Sequence, residues 1–185
     1  MDNKRMQQKE EAERLIKTCE TGKDSVAAFS RSIDDFSAVV EDLPAVARPL
    51  VKRDVESNTG MSVDEWKAFL ERLGARYGAI HDAARRLAEA LAEANDSKVA
   101  GATDALKYAS APLVESADVA AEEMQTIEAY LEGLPAKINM IPDAFLKADV
   151  REGLIDSMPG YVERARAVKE LLNETKKELS SIVAG

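Results

Sequence analysis

The most regular pattern of the chain runs from Ser62 to Ala94 and reads SVDEWKAFLERLGARYGAIHDAARRLAEALAEA. Its apolar residues recur at alternating spacings of four and three, which places them in one stripe along a helix. The residues of this stripe are Trp66, Leu70, Leu73, Tyr77, Ile80, Ala84, Leu87, Leu91 and Ala94. Ser62 and Glu65 have the spacing of a capping box, which marks the start of a helix. The pattern therefore predicts one helix over 63–95, and its heptad period favours packing against neighbouring helices.

Other stretches of the chain carry the same apolar spacing and are predicted to be helices as well. These predicted helices are 5–20, 24–43, 98–133 and 160–183. The first of them is the least regular, and its buried stripe would consist of Ala12, Leu15 and Cys19. Asn95-Asp96-Ser97 supplies a turn and an N-cap between the two longest helices, which predicts that these two are antiparallel neighbours.

Glycine and proline mark the predicted helix boundaries. Gly22 separates the first two helices, and Pro44 and Pro135 end theirs. Pro112 lacks a backbone donor and its ring clashes with the preceding turn, so we expect a kink or a break near 108–112.

Two connectors, 45–61 and 136–159, separate the long helices, and each is expected to hold one short helix, over 46–56 and 142–155. No strand-like alternation of useful length is present. The sequence therefore predicts an all-α fold: an elongated antiparallel bundle of five main helices and two short connector helices. We expect a single domain over 1–185.

One tripeptide suggests an internal repeat. Leu43-Pro44-Ala45 recurs as Leu134-Pro135-Ala136, each time at the end of a long amphipathic helix and before a connector. Pseudo-repeats over 1–95 and 96–185 are one interpretation. Two amphipathic patterns always align in some phase, so a coincidence of helix patterns is the other.

The net charge excludes several classes of function. The chain has 25 Lys and Arg against 34 Asp and Glu, a formal charge of −9. No basic stripe is visible, so we expect no direct binding of nucleic acid. No apolar run has the length needed to span a bilayer, and the chain starts with a polar stretch rather than an apolar signal segment. We expect a cytoplasmic protein; an excised extracellular domain would look the same.

Residues that could carry chemistry are few. A dinuclear metal site in a bundle needs Glu-x-x-His motifs, and the residue three positions before the single histidine, His81, is Gly78. The single cysteine, Cys19, would need a nearby base to act as a nucleophile, and only His81 could serve. We therefore predict no catalytic, metal-binding or cofactor-binding residue, and we expect that the protein is not an enzyme.

An acidic window is the sharpest feature of the predicted surface. No basic residue lies between Lys107 and Lys137. The acidic residues that we assign to this window are Glu115, Asp118, Glu122, Glu123, Glu128 and Glu132. We interpret them as a docking face for a basic protein partner; the plain alternative is a solvated face of an acidic protein. A second copy of the chain could also complete the heptad seams.

Two other functions remain open from the sequence. Gly74 and Gly78, four residues apart, would let another helix approach closely, with His81 beside the crossing. A pocket there would make the protein a ligand-sensing bundle, whereas the plain interpretation is a histidine at the boundary of the core. The third function is an amphipathic coat on a lipid or granule surface, although the polar faces lack the Lys and Arg that anionic membranes favour. Of these functions, the one that we expect is a non-enzymatic interaction protein that presents its acidic helical face to a protein partner.

Overall fold

Five α-helices make up the computed structural model, which describes residues 3–184 of the chain. They are α1 (Asn3–Asp42), α2 (Arg48–Thr59), α3 (Val63–Ala92), α4 (Asp96–Asn139) and α5 (Ala148–Ala184). Within this range there is no strand, and the helices pack as an antiparallel bundle. The prediction of an all-α bundle is confirmed.

Side chains at the predicted helix starts form the expected caps. The Ser62 backbone N–H donates to Glu65 Oε2 at 2.7 Å, and the Glu65 N–H donates back to Ser62 Oγ at 3.1 Å. Asn95 Oδ1 accepts the Lys98 N–H at 3.1 Å and caps α4. These contacts satisfy donors that a helix start leaves unpaired. The predicted beginning of α3 is confirmed, and α4 begins two residues before the predicted position 98.

The predicted break at Gly22 is wrong, because α1 is continuous from Asn3 to Asp42. A Cβ atom at Gly22 would lie 2.6 Å from Cδ1 and Cε1 of Tyr77. The tyrosine ring therefore occupies the space that any other side chain would need. Gly22 serves a close approach between two helices rather than a helix end.

Proline does not end or divide the later helices. Pro112 and Pro135 lie inside α4, and Pro159 lies inside α5, so the stop predicted at Pro135 and a break at Pro112 are wrong. The separate short helix predicted over 142–155 is also wrong, because helix begins only at Ala148 and there it is the first part of α5. Each of these prolines has a buried apolar neighbour in the chain: Leu113, Leu134 and Met158. Burial of these neighbours favours a continuous helix and opposes the cost of the lost backbone hydrogen bond.

The chain divides into two compact units. Unit 1 comprises Met1–Asp24, Arg72–Asp118 and Leu171–Gly185, and unit 2 comprises Ser25–Glu71 and Val119–Glu170. Each unit draws segments from both halves of the sequence, so the units are not the predicted pseudo-repeats. The internal repeat and the single domain stay predictions.

Unit 1 is built around Tyr77. The Tyr77 hydroxyl lies 3.0 Å from Thr175 Oγ1, and Thr175 Oγ1 donates to the Leu171 carbonyl at 2.7 Å. The tyrosine therefore donates to the threonine, and both polar groups are satisfied in the core. Burial raises the pKa of Tyr77 to about 12. The predicted N-terminal stripe, with Leu15 and Cys19, is buried in this unit.

Unit 2 is built around Trp66, which is fully buried as predicted. Its ring centroid lies 6.4 Å from that of Phe36 and 6.0 Å from that of Tyr130. Polar contacts along the surface show the relative direction of α4 and α5. Lys169 Nζ donates to Gln125 Oε1 at 3.0 Å and Arg166 Nη2 donates to Glu132 Oε1 at 2.9 Å, so these helices are antiparallel.

Candidate functional site

An apolar cavity of about 370 Å³ lies in unit 2. Its walls come from the last turns of α1, the middle of α2, the last turns of α4, the segment after α4 and the first part of α5. Most of the lining is aliphatic, including Leu43, Val51, Leu134, Ile138 and Leu146. The cavity lies where α1 and α4 end, and the side chains of these ends leave it unfilled.

One edge of the cavity is polar and centres on Asp54. Lys137 Nζ donates to Asp54 Oδ1 at 3.0 Å and to Oδ2 at 2.9 Å, and the Tyr130 hydroxyl donates to Oδ2 at 3.0 Å. Asn58 Nδ2 donates to Oδ1 at 3.1 Å. Burial, and then the negative charge of Asp54, raises the pKa of Tyr130, so its hydroxyl keeps the proton that it donates. Lys137 Nζ also lies 5.2 Å from the centroid of the Tyr130 ring.

Exposed apolar side chains surround the mouth of the cavity. Leu50 is 67% exposed and Met140 is 82% exposed, and both line the cavity. A second depression, of about 360 Å³, shares Leu43 and Leu146 with the first and is lined by the exposed side chain of Phe145. Large apolar side chains grouped at a concave surface are typical of binding sites.

The predicted pocket residues Gly74, Gly78 and His81 lie on α3 in unit 1. The close helix approach expected at Gly78 is wrong, because no heavy atom lies within 4 Å of where its Cβ would be. The face that contains Gly78 is only half-buried, and the close approach on α3 occurs instead at the neighbouring Tyr77. His81 Nε2 lies 3.4 Å from Glu20 Oε1, and its Nδ1 lies 3.2 Å from Asp82 Oδ1. These contacts favour the interpretation of His81 as a boundary residue.

Two of the predicted acidic docking residues lie in unit 1. Glu115 is exposed, and both carboxylate oxygens of Asp118 accept from Lys176 Nζ at 2.6 Å. The charge of Asp118 is therefore balanced by a lysine on α5.

The other four acidic residues lie in unit 2, where Glu122 is exposed and Glu123 is half-buried. Glu128 is buried; Arg166 Nε donates to its Oε1 at 2.8 Å, and Lys169 contacts its Oε2. Burial alone would raise the pKa of Glu128, but the hydrogen bonds from Lys169 and Arg166 outweigh it and lower the pKa below 4.5. Arg166 also pairs with Glu132. The window is free of basic residues along α4 only, since α5 supplies them from the side.

Cys19 is fully buried in unit 1. Burial, followed by the negative charges of Glu178 and Glu20, raises the pKa of Cys19 to about 12. The thiol therefore stays protonated at neutral pH and is a poor nucleophile. Among residues 3–184, no group of three or more His, Cys, Asp and Glu side chains is arranged to hold a metal ion.

None of the helices that the structure describes has both the length and the apolar character needed to cross a membrane. Comparison of the chain with models of protein families, with curated proteins and with solved structures finds no match in any of the three.

Proposed function

We propose that this chain is a non-catalytic binding protein that takes up a small, largely apolar molecule in the cavity of unit 2. The observation that carries the proposal is the cavity itself, whose volume of about 370 Å³ lies within the range of small-molecule sites. Its aliphatic walls with a few polar groups at one edge are also typical of such sites. This function corresponds to the ligand-sensing alternative, at a different place in the chain from Gly74, Gly78 and His81.

The chemistry of the lining supports binding rather than catalysis. Asp54 is the one carboxylate that lines the cavity within the described part of the chain, and both of its oxygens already accept hydrogen bonds. Its neighbour Tyr130 holds its proton because burial raises the pKa of the phenol. A carboxylate bonded in this way is a hydrogen-bonding group for a ligand rather than a free general base.

Docking of a basic partner on the acidic face stays a prediction with weaker support. Asp118, Glu128 and Glu132 are each paired with a basic residue of α5, so much of the expected negative potential is neutralised. Glu115 and Glu122 are exposed acidic residues of the window, and the docking hypothesis now depends mainly on them.

The experiment fills the cavity and measures the binding of Nile red, an uncharged apolar dye. Val51 lines the cavity from α2 and is half-buried, so Val51→Phe places a phenyl group in the space with little strain. We expect the variant to bind the dye about tenfold more weakly than the wild type, because less apolar surface is buried on binding. The matched control is Val119→Phe, at an exposed valine of the same unit that does not line the cavity.

Circular dichroism should give the same helical content for both variants and the wild type. Equal affinity of the wild type and Val51→Phe for the dye would contradict the proposal, and so would a wild-type protein that does not bind it.

A further inference from the structure

We propose that the ligand of this cavity is an amphipathic cation, with its apolar body between the aliphatic walls and its ammonium group on Asp54 and the ring of Tyr130. The inference rests on the proposed function and adds the chemical class of the ligand. At present the ammonium group of Lys137 takes this place, 2.9 Å from Asp54 Oδ2 and 5.2 Å from the ring centroid.

Contacts other than the one with Lys137 hold the Asp54 carboxylate in place. Asp54 has a short side chain on α2, and it receives hydrogen bonds from the Tyr130 hydroxyl and from Asn58. Tyr130 is in turn packed against the buried Trp66. The carboxylate and the ring therefore keep their positions when the lysine leaves.

The resident cation can move away easily. Lys137 lies in the last turn of α4, and its side chain is 43% exposed. A lysine is a compact charge on a flexible stem, and ion pairs at such exposed positions contribute little to stability. A ligand ammonium that also buries an apolar body gains more at this place than Lys137 does.

A cation fits this edge better than an anion. A cation within about 6 Å of an aromatic centroid is attracted by the face of the ring, and a carboxylate adds a charge-assisted hydrogen bond. A ligand carboxylate would have to approach Asp54, whose negative charge would repel it. The formal charge of −9 also raises the local concentration of cations around the protein.

The rest of the lining indicates the chemistry of the part of the ligand that lies away from its ammonium group. Apart from Asp54 and Lys137, no charged side chain lines this cavity in the part of the chain that the structure describes. Leu43, Leu134 and Ile138 are among the walls that face the remaining volume. The cavity therefore matches a molecule with a single charge at one end and a hydrocarbon body at the other.

The test compares three probes with the same hydrocarbon chain: octylammonium, 1-octanol and octanoate. Their affinities are measured by displacement of Nile red and by calorimetry. The wild type should bind octylammonium most tightly and octanoate most weakly. Asp54→Asn should weaken octylammonium about tenfold, the loss expected for one hydrogen bond to a charged group, and change 1-octanol by less than about twofold.

Lys137→Met gives the opposite effect, because it removes the competing internal cation and keeps an apolar stem. Octylammonium should bind this variant about two- to fivefold more tightly than the wild type, since an exposed ion pair of modest strength no longer has to be displaced. The matched controls are Asp34→Asn and Lys67→Met, which break an ion pair of 3.2 Å that does not line the cavity. Both should leave all three affinities unchanged.

The outcomes separate the two proposals. If 1-octanol binds and octylammonium is no tighter, or if octanoate is tightest and depends on Lys137, the cationic ligand is wrong and the cavity still binds apolar molecules. If Lys137→Met weakens octylammonium, the displacement of the lysine is wrong. If none of the probes displaces the dye, or the dye itself does not bind, the proposed function fails together with the inference.

Discussion

Units 1 and 2 each contain a depression of about 370 Å³, yet only one of the two resembles a ligand site. In unit 1 the walls are charged or small, with Arg86, Glu89 and Lys98 beside Gly101 and Ala102. In unit 2 they are aliphatic with one ion pair at the edge. The chemistry of the walls, rather than the volume, therefore indicates a binding site.

The cores of the two units also differ, because the central tyrosine of unit 1 is enclosed whereas that of unit 2 borders the cavity. Tyr77 in unit 1 is fully buried, with Gly22 directly against its ring and Thr175 on its hydroxyl. Tyr130 in unit 2 has Trp66 on one side and the cavity on another. The same heptad pattern thus gives a closed core where helices run side by side and an open one where they end.

Two leucines of α4 should differ most in what their truncation costs. Leu113 is fully buried in unit 1, whereas Leu134 is buried in unit 2 but lines the cavity. Leu113→Ala should lower the free energy of unfolding by about 3–5 kcal/mol, and Leu134→Ala by about 2 kcal/mol, because Leu134 has fewer neighbours to lose. Urea unfolding of both variants measures the difference. Equal losses would show that unit 2 is packed as tightly as unit 1.

The next effect concerns the buried carboxylate of unit 2 and depends on pH. Because the folded pKa of Glu128 is lowered from 4.5, its ionised form stabilises the fold above that pH. This contribution is lost as the pH falls through the lowered folded pKa. Glu128→Gln should cost about 2 kcal/mol at pH 7, from the hydrogen bonds that Arg166 and Lys169 lose.

The difference in free energy of unfolding between Glu128→Gln and the wild type should become smaller when urea unfolding is repeated below pH 4.5. The control in unit 1 is Asp118→Asn, which breaks an exposed pair with Lys176 and should cost less than about 1 kcal/mol. If the difference in free energy of unfolding between Glu128→Gln and the wild type stays constant with pH, the role assigned to the charge of Glu128 is contradicted.

The smallest effect uses two glycines of unit 1. Gly22→Ala places a methyl group against the Tyr77 ring, and the resulting overpacking should outweigh the better helix propensity by about 1 kcal/mol. Gly78→Ala meets open space and should stabilise by about 0.5–1 kcal/mol. Thermal unfolding measures both. A stabilising Gly22→Ala would mean that the core of unit 1 gives way more easily than its contacts indicate.

The sequence was sufficient to predict most of the buried faces, although Leu87 of the α3 stripe is half-buried and Ala94 is exposed. The heptad stripes predict the helices, and the capping box at Ser62 and the cap at Asn95 predict two of their starts to within three residues. Local rules failed where a tertiary contact decides. Gly22 reads as a break in the sequence because Tyr77, which needs the space, is far away along the chain.

The candidate site could not be predicted from the pattern of any single helix. Asp54, Tyr130 and Lys137 meet from α2 and α4, and no local spacing connects them. The pairing within the acidic window was out of reach for a related reason, since Arg166 and Lys169, which pair with Glu128, lie on α5. One signal was present: Leu50, Met140 and Phe145 are large apolar residues outside the heptad stripes, and all three border the cavity or its neighbouring depression.

The position of Trp66 gives this protein a built-in optical reporter. The chain contains one tryptophan, and its ring is in contact with Tyr130, which lines the cavity. Its intrinsic fluorescence therefore reports on unit 2 alone, whereas circular dichroism follows all the helices. Emission from this one indole distinguishes the melting of the core of unit 2 from the melting of the remaining chain, without any added label.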